Sequence, residues 1–158
     1  MKGSIPPSVV AVLHSHLEGN VMPQLSDVKE TTLYVNDMAR AVGFYRDVMG
    51  LTPLVEDDRF CALDVNGRHV LLLFVRGSSI QTAALPGGMI PPHDGSGPLH
   101  IGFSVDAAEL PRWEAHFNAH RVEILSNMDW PRGGRSFYFR DPDGHLLELL
   151  TPGVWSTY

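Results

Sequence analysis

Residues 139–149 read FRDPDGHLLEL, and this stretch decides the fold. The segment DPDG (141–144) is typical of a tight turn, because proline presets its φ angle and glycine accepts a positive one. The turn joins a strand predicted over 136–140 to one predicted over 146–150. Glu148 lies among leucines in the second of these strands, where a carboxylate without a partner would be costly. The stretch therefore predicts a β-hairpin that carries one functional carboxylate.

The order of elements that ends in this hairpin occurs twice along the chain. In the first half, Asp37 is the candidate N-cap of a helix predicted over 38–49, and Gly50 is its stop. Asn66-Gly67 is the hairpin turn of that half. The predicted strands are 30–35, 51–56, 59–65 and 69–75 in the first half, and 99–105, 122–126, 136–140 and 146–150 in the second, which has its helix over 108–119. We therefore predict an α+β fold of duplicated βαβββ modules that form a cupped mixed sheet.

Length and composition restrict the class of protein. The chain has 158 residues, 44% of them apolar, and a formal net charge of −6. This charge and the lack of a basic stripe argue against nucleic-acid and membrane-surface partners. The single cysteine, Cys61, excludes an intrachain disulfide and a thiolate-rich zinc site, and we expect it to be a small buried hydrophobe. No apolar run approaches the ~20 residues of a membrane span, so we expect a cytoplasmic protein.

The same features predict how the chain is organised. Gly, Pro and Ser are frequent between the two halves, which indicates a linker. The apolar run near the N-terminus is too short for a secretory signal, so we expect an arm there. The predicted organisation is an N-terminal arm (1–26), a first module (27–76), a linker (77–98), a second module (99–152) and a C-terminal tail (153–158).

Alternation along the strands predicts which side chains share a face of a sheet. In the first, fifth and eighth strands, the apolar residues suit a face covered by the helix. Glu30, His100 and Glu148 then lie on the opposite face. If the two sheets curve towards each other, we expect these three side chains to meet in one cup.

The fourth strand is apolar after His69, and the two halves can be aligned at their turn glycines. With Gly67 placed opposite Gly144, Leu71 is the counterpart of Glu148. Leu71 and Leu73 then face the cup together with His69, and the helix side receives Val70, Leu72 and Phe74.

Four segments resemble the vicinal oxygen chelate superfamily, which includes glyoxalase I, extradiol dioxygenases, fosfomycin-resistance enzymes and bleomycin-resistance proteins. They are LYVNDM (33–38), GFYRDVMGL (43–51), LHIGF (99–103) and FRDPDGHLLEL (139–149). The resemblance implies metal ligands on the first, fourth, fifth and eighth strands, where this chain has Glu30, Leu71, His100 and Glu148. His100 and Glu148 match the family pattern. Glu30 replaces the usual His or Gln, and Leu71 cannot bind a metal.

A histidine and two carboxylates are a donor set that suits Mn²⁺, Fe²⁺, Mg²⁺, Ni²⁺ or Zn²⁺. The resemblance implies a glyoxalase-like enzyme of the lyase or isomerase type, in which the metal acts on a small oxygen-chelating substrate and Glu148 or Glu30 moves a proton. We expect a homodimer, with the cup closed either within one chain or between subunits. A dioxygenase and a fosfomycin-type transferase are disfavoured, because both usually have two His and one Glu.

The alternative is a metal-free protein that binds a drug-like molecule, similar to bleomycin-resistance proteins. For either function, the predicted substrate-binding residues are Tyr34, Leu71, Leu73, Trp130 and Arg135. Arg135 could hold an anionic group, or it could pair with a nearby acid. His93 is expected at the surface, in a loop that could close over the cup, and His145 is expected to be exposed.

Overall fold

The computed structural model describes residues 22–158, so residues 1–21 of the expected arm lie outside the described residues. The strands are β1 (Glu30–Val35), β2 (Thr52–Glu56), β3 (Phe60–Val65), β4 (His69–Val75), β5 (Ala83–Leu85), β6 (Gly88–Ile90), β7 (His100–Ser104), β8 (Ser126–Asp129), β9 (Arg135–Arg140) and β10 (Leu146–Leu150). The helices are α1 (Met38–Asp47) and α2 (Leu110–Ala119), and a 3₁₀ turn (Ala107–Glu109) precedes α2. None of the helices in this part of the chain is long and apolar enough to cross a membrane.

Two four-stranded sheets carry the fold. Their strand orders are β1-β4-β3-β2 and β7-β10-β9-β8, and in each sheet the first and last strands of a module pair in parallel. The other pairs are antiparallel. This arrangement confirms the predicted α+β fold of duplicated βαβββ modules.

The strands of the second module and of the linker differ from the sequence prediction. The strand predicted over 122–126 lies at Ser126–Asp129 instead, where it pairs with β9. The linker contains a two-stranded ribbon, β5–β6, which was not predicted, and all six of its residues are exposed.

Helix α1 begins where its capping residue predicts and ends at Asp47, two residues before the predicted end at Met49. The Asp37 side chain accepts a hydrogen bond of 2.9 Å from the backbone N–H of Arg40, which satisfies one of the free donors of the first turn. Gly50 follows the helix with a φ of 71°, a conformation that glycine adopts at little cost. The helix therefore presents Ala41, Val42 and Tyr45 to the interior.

One hydrophobic core serves both modules. It joins residues of β1, α1, β3 and β4 to Phe117 of α2, Phe139 of β9 and Leu147 and Leu149 of β10. Cys61 is fully buried in it, as expected, and burial raises the pKa of its thiol to about 11. The face of each sheet that lies opposite this core is called its outer face below.

The facing predicted for β4 is wrong. Leu71 and Leu73 are fully buried in the core, and Leu72 lies on the outer face, paired with Thr32. In the second sheet, Glu148 pairs with Gly102 in the equivalent position. The counterpart of Glu148 is therefore Leu72, and not Leu71.

The error comes from the two turn glycines, which occupy different places in their hairpins. Gly67 stands three residues after Asp64, the partner of Val70, whereas Gly144 stands four residues after Arg140, the partner of Leu146. Aligning the glycines shifts β4 by one residue, and a shift of one residue moves every side chain of a strand to the other face.

Candidate metal centre

His100 and Glu148 meet on the outer face of the second sheet. They lie on the neighbouring strands β7 and β10, and His100 Nε2 is 3.3 Å from Glu148 Oε2. The His100 side chain is half exposed, whereas that of Glu148 is 9% exposed. A buried carboxylate thus lies directly below an accessible imidazole.

The protonation of this pair follows from a second contact of the imidazole. His100 Nδ1 lies 3.0 Å from the carbonyl oxygen of Leu146, which can only accept a hydrogen bond. Nδ1 therefore carries the proton, and in the neutral ring the lone pair of Nε2 faces the Glu148 carboxylate. Two acceptors at this distance repel each other unless a proton or a cation lies between them.

The other oxygen of Glu148 is also without a partner. Oε1 is buried and accepts no hydrogen bond from any residue that the structure describes. A Cβ on Gly102, which pairs with Glu148, would lie 2.9 Å from Leu150 Cδ2 and 3.7 Å from Glu148 Oε2, so the Leu150 side chain packs over Gly102 beside the carboxylate. The pair therefore has one buried oxygen without a hydrogen-bond partner among the described residues.

Tyr138 completes this group, although the sequence analysis did not select it. It lies opposite Glu148 on the antiparallel strand β9, and its ring stacks on that of His100 with a centroid separation of 6.3 Å. Burial, followed by a hydrogen bond to the Glu148 carboxylate and the charge of that group, raises the pKa of the Tyr138 phenol. The alternation of β9 between buried Phe137, Tyr138 and buried Phe139 was a signal that could have identified it.

Glu30 does not join the pair within one chain. It is exposed at the start of β1, and its side chain forms no hydrogen bond or ion pair in the described part of the chain. No three His, Cys, Asp or Glu side chains among residues 22–158 are close enough to hold a metal together. Glu30 and Gly102 instead line a crevice of about 690 Å³ that opens beside the edge strands β1 and β7. The expected convergence of three ligands therefore does not occur within the single chain.

The predicted substrate-binding leucines are corrected in the same way. Leu71 and Leu73 are part of the core, so neither can contact a substrate on the outer face. The outer face of β4 is formed by Val70, Leu72 and Phe74, because these residues pair with Glu30, Thr32 and Tyr34 of β1. An apolar side chain still occupies the position equivalent to Glu148, but it belongs to Leu72.

Tyr34 lies on the outer face of the first sheet, as predicted, but the linker covers it. Its hydroxyl is 2.8 Å from His93 Nδ1, and the His93 ring packs edge-on against Phe74 with a centroid separation of 4.7 Å. Gly95 packs on the Tyr34 ring so closely that a Cβ would overlap it. His93 is therefore a packed residue of the linker rather than a free surface histidine.

Trp130 and Arg135 flank the turn between β8 and β9, and they point to different sides. The Trp130 indole donates a 2.8 Å hydrogen bond to Ser136 Oγ, and Ser136 shares the outer face with Glu148. Arg135 has the opposite facing and donates to Asp129 Oδ1 at 3.0 Å. The acid-paired alternative describes Arg135 in this structure, and its contact with a substrate stays a prediction. A role of Trp130 in substrate binding stays a prediction.

His145 also differs from its prediction, since it is fully buried instead of exposed. Both ring nitrogens are hydrogen-bonded, to the backbone N–H of Leu99 and to the carbonyl of Tyr34. Its partners are main-chain groups of distant segments, so strand alternation gave no signal for them.

The residues present fit a divalent cation. His100 offers a free lone pair at Nε2, and its other nitrogen donates to a carbonyl, which is the usual support of a metal-binding histidine. The separation of 3.3 Å between Nε2 and Oε2 is one that two ligands of the same ion can have when each is about 2.1 Å from it. The unpartnered Oε1 of Glu148 is consistent with the same use.

Comparisons with known proteins show the family of the chain. The profile of the family described as Glyoxalase/Bleomycin resistance protein/Dioxygenase superfamily matches residues 27–149. A metallothiol transferase FosB from Bacillus licheniformis is 32% identical over 122 residues, which are 77% of this chain and 72% of that protein. Another FosB, from Staphylococcus saprophyticus, is 27% identical and covers 80% of this chain and 78% of its own.

Solved structures give the same picture. The structure of a lactoylglutathione lyase from Agrobacterium tumefaciens superimposes with a TM-score of 0.77 at 33% identity, over 85% of this chain and 99% of that one. A fosfomycin resistance protein, FosX, from Listeria monocytogenes shares the fold with a TM-score of 0.61 at 20% identity.

Proposed function

Since the chain belongs to the Glyoxalase/Bleomycin resistance protein/Dioxygenase superfamily, we propose that it is a divalent-metal-dependent enzyme that acts on a small oxygen-bearing substrate. The observation that carries the proposal is the distance of 3.3 Å between His100 Nε2 and Glu148 Oε2, with Nδ1 held by the Leu146 carbonyl so that Nε2 of the neutral ring can bind a cation. His100 and Glu148 would hold the cation, which would neutralise a buried carboxylate whose Oε1 has no hydrogen-bond partner among the described residues.

The third ligand in this proposal is Glu30 of a second copy of the chain. Among the described residues of one chain, Glu30 does not cluster with His100 and Glu148, so the first sheet does not supply the third ligand to its own second sheet. A second copy can supply this ligand, with its Glu30, Thr32 and Leu72 facing the His100–Glu148 pair. The accessible side of His100 and the open crevice beside β1 and β7 favour a homodimer with two such sites.

The residues of this site have distinct chemical tasks. When bound, the metal would act as a Lewis acid and would leave coordination positions for substrate oxygens. The raised pKa of Tyr138 keeps its hydroxyl protonated, so it can donate a hydrogen bond to a substrate oxygen. Glu30 is exposed and can take a proton from the substrate, and Glu148 is the second carboxylate that can do so.

Two reaction classes are supported, a lyase or isomerase by the solved structures and a transferase by the curated relatives. The lactoylglutathione lyase supports the predicted lyase or isomerase chemistry, in which a proton moves between neighbouring carbons. The FosB relatives support a transferase that joins a thiol to a small electrophile, the class that the sequence analysis disfavoured. One name refers to a thiol and the other to a derivative of glutathione, which is a thiol compound, so we propose that a thiol-bearing molecule is one reactant. The first class is our main proposal.

A metal titration tests the proposal. The parent should bind one Mn²⁺ per chain, and His100→Ala should lose this binding and remain folded, because His100 is half exposed. His120→Ala is the matched control, since His120 is an exposed histidine directly after α2 that contacts neither ligand. Unchanged Mn²⁺ affinity in His100→Ala would contradict His100 as a ligand, and a parent that binds no Mn²⁺ would contradict a metal enzyme and leave the metal-free binding protein as the function.

Activity measurements then separate the two classes. The metal-loaded protein is given the adduct of glutathione with methylglyoxal, and separately glutathione with fosfomycin. Turnover of only the first supports the lyase class, and turnover of only the second supports the transferase.

Mixed dimers test the second copy's contribution. Neither Glu30→Ala nor His100→Ala alone should have a complete site. When the two are mixed and allowed to exchange subunits, one site of each mixed dimer contains Glu30 from one chain and His100 from the other. About a quarter of the parental activity should return if half of the dimers are mixed. No recovery despite proven exchange would contradict the shared site.

A further inference from the structure

His145 is buried in the turn before β10, and both nitrogens of its ring are in use. The backbone N–H of Leu99 donates to Nδ1 at 2.9 Å. Nε2 lies 2.8 Å from the carbonyl oxygen of Tyr34, so it carries the proton and donates. The ring is therefore held as a single neutral tautomer between the end of β1 and the start of β7.

The bond to Leu99 is the first of three that lead to the candidate metal ligand. The Leu99 carbonyl accepts from the backbone N–H of Leu146 at 2.8 Å. The Leu146 carbonyl in turn accepts from His100 Nδ1 at 3.0 Å. His145 thus fixes the residue that precedes His100, and that segment contacts the carbonyl which orients the His100 ring.

We propose that His145 is a positioning residue for His100, and that it keeps the Nε2 lone pair aimed at the Glu148 carboxylate. This inference rests on the proposed function, because it concerns the metal affinity of that pair. Only the bond to Leu99 serves this purpose. The bond to Tyr34 joins the two modules and contributes to stability alone.

Two substitutions separate these bonds. In His145→Asn, the amide oxygen reaches the place of Nδ1 and can accept from Leu99, but it cannot reach Tyr34. In His145→Gln, the amide nitrogen reaches the place of Nε2 and can donate to Tyr34, but Leu99 loses its acceptor. Each variant keeps one bond of similar length, so each is the control for the other in stability.

The Mn²⁺ dissociation constant is measured for the parent and both variants, together with their melting temperatures. We expect the dissociation constant of His145→Asn to stay within about twofold of the parent. His145→Gln should bind Mn²⁺ about tenfold more weakly, which is the lower end of what supporting partners of metal ligands contribute. Equal dissociation constants for the two variants would overturn the proposal and make His145 a residue of stability alone.

A second readout does not depend on metal. The nitrogen NMR spectrum of the His100 ring should show one tautomer, with the proton on Nδ1, in the parent and in His145→Asn. In His145→Gln it should show a mixture of tautomers. A single tautomer in Gln would overturn the proposal. If the parent binds no Mn²⁺, the proposed function fails, and this spectrum still decides whether His145 positions His100.

Discussion

The Tyr45 hydroxyl donates a 2.8 Å hydrogen bond to Asp141 Oδ2. Helix α1 of the first module therefore holds the turn that precedes β10 in the second module. Asp141 is buried, and its other oxygen accepts from the backbone N–H groups of Asp143 and His145. The turn that leads to Glu148 therefore depends on a side chain from the other module.

Tyr45→Phe should lower the free energy of unfolding by about 1–3 kcal/mol, because it leaves a buried oxygen of Asp141 without a donor. Urea denaturation measures this loss. Tyr158→Phe, which removes a hydroxyl bonded to the Leu150 carbonyl near the C-terminus, should cost less. Equal losses in the two variants would contradict a special role for the Tyr45–Asp141 bond.

The same bond predicts how stability depends on pH. Burial, followed by the Asp141 carboxylate, raises the pKa of Tyr45 well above its ordinary value of 10.0. The stability that comes from neutral Tyr45 is complete below that value and is lost as the pH rises through the raised pKa. Above pH 10, the parent should lose stability more steeply than Tyr45→Phe. Parallel curves for the two proteins would contradict this prediction.

Glu148→Gln should stabilise the metal-free protein and abolish metal binding. The substitution removes a buried charge, and the new amide can donate to His100 Nε2, so we expect a gain of about 1 kcal/mol. Thermal unfolding with and without Mn²⁺ measures both effects. A variant that is less stable than the metal-free parent would show that the carboxylate has a partner beyond those described above.

Leu72→Glu and Leu71→Glu form a matched pair that tests the facing of β4. Leu72 is on the outer face, so Leu72→Glu should fold and, in the dimer, add a carboxylate as the fourth ligand, which tightens Mn²⁺ binding several-fold. Leu71→Glu places a charge in the core and should unfold the protein. Circular dichroism and Mn²⁺ titration give the result, and a folded Leu71→Glu would contradict the register.

Gly95→Ala should loosen the linker from the first sheet. The Tyr34 ring is held by its bond to His93, so it cannot easily yield to an added methyl group. We expect faster proteolysis within residues 77–98 and a small change in melting temperature. Gly87→Ala is the control, because no atom lies within 4 Å of a Cβ at that position. Equal proteolysis in the two variants would contradict the packing of Gly95 on Tyr34.

Sequence alternation predicted the faces of β1, β7 and β10, because in each of them a polar residue interrupts the apolar series. Glu30, His100 and Glu148 all lie on outer faces as a result. Strand β4 has six apolar residues in a row after His69, so alternation carried no information there. Its facing depended on a turn glycine, and the two hairpins place their glycines differently.

Other features of the site were beyond sequence reasoning for a different reason. The buried position of His145 is set by main-chain groups of Leu99 and Tyr34, which are 46 and 111 residues away along the chain. The separation of Glu30 from the other two ligands depends on how the modules pack, and the pattern within each module is the same for either packing. These are properties of tertiary structure, and a strand pattern does not encode them.

The shared core has a consequence for how a duplicated chain of this kind arises. Each module covers part of the apolar surface of the other, so a protein made of one module would expose that surface to water. Such a protein would bury it by pairing with another copy of itself. Joining two copies in one gene makes this pairing permanent and independent of concentration, and it lets each half change separately. The difference between Leu72 and Glu148, at equivalent positions of the two halves, is the kind of divergence that this freedom permits.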